Sequence, residues 1–205
     1  MLFTNLIKYI THQGPELPPP SAIGYEYITA SNGIYIRAEN RFVSALIPVM
    51  QAPASTVRGL HPLAASICLK VPPMPISLLS NVLADARQMR TKSGQLNEVL
   101  YRGAFYGRQV RVDRPKQDAS RSHVRAIGDG GSGVILELHS HGNINAFWSD
   151  TDNRDELGFR FYGVIGRLDS QKPQIRLRLG LHGYYYNISQ DLLFSKANKS
   201  PFTNL

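Results

Sequence analysis

The sequence predicts an α+β fold, and three observations carry that prediction. There is one stretch of helical period, β-rich runs lie on both sides of it, and no internal repeat is visible. A small β-rich module comes first. Residues 14–22 read Gly-Pro-Glu-Leu-Pro-Pro-Pro-Ser-Ala, a connector too proline-dense for regular helix or a central strand. Tyr25–Thr29 and Ile34–Arg37 then flank Ser31-Asn32-Gly33, and Asn-Gly between alternating β-formers signals a hairpin. Arg41–Pro48 continues as a third strand. The module is expected over residues 1–72, closing near the proline-rich Val71–Pro75.

The period then changes. Ile76, Leu79, Val82, Leu83, Ala86 and Met89 recur at helical spacing, and Ser93-Gly94 ends the run. Strands are expected at Glu98–Phe105, Arg108–Asp113, His123–Ile127 and Val134–His141, with a polar loop between Pro115 and Ser122. After an interruption at Gly142–Glu156 they resume at Phe159–Ile165, Ile175–Leu181 and Tyr184–Ile188. A mixed sheet flanked by helices is thus expected over 73–195, and 196–205 reads as a polar tail that frays. Tyr184-Tyr185-Tyr186 reads as strand packing with one ring exposed. His12, His61, His123 and His182 lack a partner at metal spacing and read as ordinary surface or core histidines.

Composition narrows the function classes. At 42% hydrophobic and 19% charged residues over 205 positions, the chain is globular rather than fibrous or disordered. It has no apolar run of about 18 residues, so no membrane partner is expected. The single Cys68 excludes an intrachain disulfide and every multi-cysteine zinc site, and it fits a reducing compartment. The opening Met1–Gln13 does not read as a signal peptide, so a cytoplasmic protein is expected. Twenty-three Lys and Arg against fifteen Asp and Glu, formally +8, imply attraction to an acidic partner. Arg102, Arg108, Arg111, Arg114, Lys116, Arg121 and Arg125 concentrate that charge. They could form one basic face for nucleic acid or an acidic protein, although no sequence-specific nucleic-acid motif accompanies them.

The segment that carries chemistry runs from Glu137 to Asp152. His139 and His141 are two apart at a strand end, so both imidazoles share a face and can meet one ion. Asp152, eleven residues on, can return to offer a carboxylate oxygen. Two His and one carboxylate leave a fourth position for water, a sound arrangement for catalytic Zn2+, which brings that water's pKa toward about 7. Ser149, three residues before Asp152, can donate to an oxyanion formed when water attacks a carbonyl. Ser149-x-x-Asp152 also reads as a helix capping box, and the two roles can coexist. For the general base the choice stays between Glu98, an acid in an apolar and basic strand, and Glu137, which shares the histidine face.

His-x-His, seven residues, Ser, two residues, Asp resembles the zinc-binding signature of the JAB/MPN (JAMM) metalloprotease family. Glu98 lies after a helix, where that family places its catalytic glutamate. The resemblance covers about residues 76–190. It implies a JAB/MPN-like, cytidine-deaminase-like domain and a zinc metallopeptidase of the deubiquitinase-like isopeptidase type. The implied substrate bond lies at the C-terminal tail of a ubiquitin-like or sulfur-carrier-like protein. The chain looks closest to the bacterial PRTRC system protein A branch, which implies a ThiF/E1-like enzyme and a ParB-related protein as partners. One position departs from the pattern: Gly142 stands where the family usually has proline, which puts preorganisation of the site in question. Members that lost their ligands act as scaffolds. The competing expectation is therefore an inactive scaffold in a plasmid- or DNA-associated complex, using the basic face.

Overall fold

A computed structural model of the chain describes residues 7–21, 24–53, 55–107, 109–128 and 133–195. The polar tail 196–205 and Arg108 lie outside these residues. The chain divides into two compact units, Met1–Pro72 and Pro73–Leu205.

The first unit holds a five-stranded sheet in the order β1 (Ile7–Thr11), β2 (Tyr25–Ala30), β3 (Gly33–Glu39), β4 (Val43–Gln51) and β5 (Ser66–Leu69). The β2–β3 hairpin turns at Ser31-Asn32, where Asn-Gly chemistry predicts it. Strands β1 and β5 were not legible as strands. β1 pairs parallel with β2 across the whole proline connector, and β5 pairs with β4 from beyond a long loop. Both pairings are decided by partners distant in sequence. On one face Ile28, Ala30, Tyr35 and Leu46 form a buried cluster, closed by Ile10, Leu17 and Leu63. Asn32 ties that loop down through hydrogen bonds to both the N–H and the carbonyl of Leu63.

The second unit opens with β6 (Met74–Pro75) and α1 (Ile76–Gln88). Helix α1 buries Leu79, Val82 and Ala86, one stripe of the helical period. The strands that follow are β7 (Leu100–Tyr106), β8 (Gln109–Asp113), β9 (Gln117–Ala119), β10 (Val124–Ala126) and β11 (Val134–Ser140). Then come α2 (Asp150–Asp155), β12 (Arg160–Gly166), β13 (Gln174–Leu181), β14 (Tyr184–Ile188), α3 (Gln190–Leu193) and β15 (Phe194–Ser195). The main sheet is mixed, in the order β14-β13-β12-β11-β7-β8, with β11 parallel to β12 and the other neighbours antiparallel. Strand β11 is therefore interior, and Val134, Ile135, Leu136 and Leu138 are buried. Gly163 on β12 admits the Leu138 side chain, because a Cβ there would lie 2.2 Å from Leu138 Cδ2.

Two expectations need correction. The sheet is less flanked by helices than expected, since α2 has six residues and α3 four. The stretch expected as loop contains β9, which forms a hairpin with β10. Gln117 anchors that hairpin: its side chain accepts from Leu100 N at 2.8 Å and donates to Leu100 O at 3.3 Å, standing in for a neighbouring strand. No helix among the described residues is long and apolar enough to cross a membrane.

Candidate metal centre and its cavity

His139 lies in β11 and His141 one residue beyond its end, so the alternation of an extended chain turns both toward one side together with Glu137. The backbone leaving the site is held by His141 N donating to Ile165 O at 2.7 Å and Leu168 N donating to Gly142 O at 3.0 Å. Gly142 has φ +57°, a left-handed conformation that proline's ring forbids. Glycine takes this conformation without strain, whereas proline could not take it at all.

Helix α2 delivers the third residue. Ser149 is its N-cap, and a reciprocal capping box forms: Asp152 N donates to Ser149 Oγ at 3.1 Å, and Ser149 N donates to Asp152 Oδ2 at 2.7 Å. The Ser149 oxygen accepts in this box, which leaves its O–H proton to donate elsewhere. The cap thus aims Asp152 at the histidines, with His139 Nε2 3.2 Å from Asp152 Oδ1 and His141 Nε2 3.9 Å from Oδ2. The two Nε2 atoms are 3.1 Å apart. Neighbouring ligand atoms around a tetrahedral zinc ion, with bonds of about 2.0–2.2 Å, stand about 3.3 Å apart. The separations bracket that value, and these three residues form a group that could hold a metal ion.

The charges are strongly coupled. Burial works to lower His139, yet the hydrogen bond and charge of Asp152 hold its pKa above the ordinary histidine value. Burial would raise Asp152, but His139 and the Ser149 backbone N–H hold it well below the carboxylate range. His141 is lowered by burial and by its charged neighbour His139.

Three glutamates share the cavity of about 660 Å3 that opens over this cluster. Glu137 accepts from Arg102 Nε at 2.9 Å and Arg160 Nη1 at 3.2 Å, so its carboxylate is committed to two guanidinium groups. Glu156 is held by Arg178 at 2.9 and 2.6 Å. Burial pushes Glu156 up to about 7, while Arg178 pulls it down. Glu98 has no hydrogen-bond or ion-pair partner for its carboxylate among the described residues, and burial pushes it up to about 7. Its position follows from register. His139 pairs with Leu100, and Val99 N donates to Ser140 Oγ at 3.1 Å while Ser140 N donates to Val99 O at 2.9 Å. Those two bonds fasten the Glu98 segment beside the end of β11.

The sequence missed Ser140, whose side chain fastens the Glu98 segment, and the Glu156–Arg178 pair. Ser140 is the variable position between the two histidines, and the Glu156–Arg178 pair lies in no motif. Tyr184, Tyr185 and Tyr186 are all half-buried, so no ring of this strand is exposed. Tyr185 instead stacks 3.8 Å from the Arg178 guanidinium. Trp148 covers the other side of that guanidinium at 3.9 Å, while Phe147 lines the cavity edge-on to His141 at 4.8 Å. His123 is exposed and lies on the cavity wall formed by the β9–β10 hairpin. Of the expected basic face, Arg102 turns to Glu137 and Arg114 to Asp85, while Arg111, Lys116, Arg121 and Arg125 are exposed.

These features define a class, a mixed-sheet domain with a candidate metal centre at the end of an interior strand. Residues 82–179, just under half of the chain, match the family model described as prokaryotic homologs of the JAB domain. That stretch contains Glu98, His139, His141, Ser149 and Asp152, and the match supports the JAB/MPN family without reaching the PRTRC branch. No curated protein matches the chain.

Proposed function

We propose that this chain is a zinc-dependent hydrolase of peptide or isopeptide bonds. The observation that carries the reading is a cluster of two histidines and an aspartate beside a glutamate in the same cavity that pairs with no arginine among the described residues. His139, His141 and Asp152 would hold the ion, which when bound would supply a Lewis acid for a scissile carbonyl and for water. Glu98 would accept the proton of the attacking water and return it to the departing amine. Burial raises this carboxyl, which favours its taking up that proton. The Ser149 hydroxyl would donate to the oxyanion. Arg102 and Arg160 engage the Glu137 carboxylate, which favours Glu98 over Glu137 as the base.

The substrate of this reading is the C-terminal tail of a ubiquitin-like or sulfur-carrier-like protein. An extended tail can add to a free strand edge, and β10, which pairs only with β9 among the described residues, lines the cavity. The reading includes a cytoplasmic setting, the PRTRC branch, and a ThiF/E1-like enzyme and a ParB-related protein as partners. The second reading is an inactive scaffold meeting nucleic acid or an acidic protein. What favours it is the set of exposed basic residues Arg111, Lys116, Arg121 and Arg125.

Zinc per chain, measured on protein purified without chelator or affinity-tag metal, tests the proposal beside the His139→Ala/His141→Ala double variant. About one zinc in the wild type and none in the variant is expected. No zinc in either, even after zinc is added back, would overturn the hydrolase and leave the scaffold.

A further inference from the structure

Glu156 belongs to no motif, yet it is the most firmly held carboxylate beside the candidate ligands. Arg178 donates to its Oε2 from both Nε (2.9 Å) and Nη2 (2.6 Å). That leaves Oε1, which faces His139 Nδ1 at 3.9 Å. Arg178 is itself immobilised. Its guanidinium lies between Trp148 at 3.9 Å and Tyr185 at 3.8 Å, and its Nη1 donates to Asn153 Oδ1 at 2.7 Å. Tyr185 Oη closes the clamp by donating to Asn153 O at 2.6 Å. All three carboxylate, guanidinium and imidazole groups belong to buried residues.

We propose that Glu156, clamped by Arg178, is a positioning residue that orients the His139 imidazole for its ion. This rests on the reading of His139, His141 and Asp152 as the ligand set. His139 turns Nε2 into that cluster, so Nδ1 must carry the ring proton, and a carboxylate facing Nδ1 selects that tautomer and strengthens the ligand. His141 has no such support, because its Nδ1 is buried without a hydrogen-bond partner among the described residues. The same clamp grips Asn153 and ends α2 at Glu156, so it also steadies the helix that carries Asp152. An arginine suits this work, with two donors converging on one oxygen, a third donor to Asn153 and a flat cation against two rings.

The test is zinc affinity of the full chain by competition with a chromogenic chelator, alongside the melting temperature of each protein in excess chelator. Glu156→Gln should bind zinc about 10–100-fold more weakly. It should also melt earlier, because Arg178 then stays buried without its anion. The double variant Glu156→Gln/Arg178→Met removes both charges and should recover the melting temperature but not the affinity. Recovery of both in the double variant would make Glu156 merely structural and overturn the proposal, and so would unchanged affinity in both variants. If Glu156→Gln alone does not fold, the double variant gives the same reading. Wild-type protein that takes no zinc would instead sink the ligand set, and this inference with it. Zinc-binding wild type with indifferent variants would sink this inference alone.

Discussion

Each compact unit buries an arginine against a glutamate, and the two pairs are built to different ends. In the N-terminal unit Glu26 and Arg37 are direct cross-strand neighbours on β2 and β3, and Arg37 Nε donates to Glu26 Oε2 at 2.6 Å. The remaining bonds go to the proline connector: Arg37 Nη1 donates to Pro18 O at 2.9 Å, and Ser21 N donates to Glu26 Oε1 at 3.0 Å. Both carboxylate oxygens are used: Oε2 holds the Arg37 guanidinium and Oε1 the connector backbone. In the C-terminal unit Arg178 takes one oxygen of Glu156 and leaves the other facing a histidine in an open cavity. A buried charge whose bonds close on backbone serves the fold, whereas one with an oxygen left toward a cavity is placed to act on a ligand.

Four expected outcomes would break or sharpen this comparison. The largest concerns Glu98, the cavity carboxylate without an arginine. Glu98→Gln should lower turnover about 10²–10⁴-fold or more while zinc per chain stays at the wild-type value. Zinc loss in that variant, read by elemental analysis, would make Glu98 a ligand or a structural residue.

Next is the N-terminal pair. Arg37→Met strands Glu26 in a buried site and should cost about 3–5 kcal/mol in chemical denaturation, without changing zinc content. A small loss there would erase the contrast drawn between the pairs. Ser149→Ala comes third, expected to slow hydrolysis about 100-fold while also removing a helix cap worth about 1 kcal/mol. Full activity with only the stability loss would reduce Ser149 to the cap seen in the structure.

The smallest effect is on pH dependence. Folding raises Glu98 from its ordinary value near 4.5 to about 7, so the folded metal-free protein binds the extra proton between those values. Its contribution is therefore full below about pH 4.5 and lost as pH rises toward 7. Melting temperatures of metal-free protein across that window should fall less in Glu98→Gln than in wild type. Parallel curves would show that Glu98 is not raised.

Local spacing made much of this protein readable. The Asn32-Gly33 hairpin, the α1 stripe of Leu79, Val82 and Ala86, the shared face of His139 and His141, and the Ser149–Asp152 cap all lie within a few residues. Strand and helix periods fix such relations before any tertiary contact forms. The match to prokaryotic homologs of the JAB domain agrees with that reading of the motif. Other relations depend on sheet register and could not be seen. The two-residue pairing of β6 with β15 joins segments far apart in the chain. The tie from Ser140 to Val99 holds the Glu98 segment against β11 over a gap of about forty residues. The engagement of Glu137 comes from Arg102 and Arg160, which neighbouring strands bring to it. Likewise Tyr162 on β12 pairs with both Glu137 and Arg178, so the sheet sets Arg178 one strand beyond the histidine strand's neighbour. The sequence by itself determined which side chains could meet an ion, because periodicity places them on one face. Only the tertiary structure decided which carboxylate is free and which is clamped, because an arginine's choice of partner depends on register between strands.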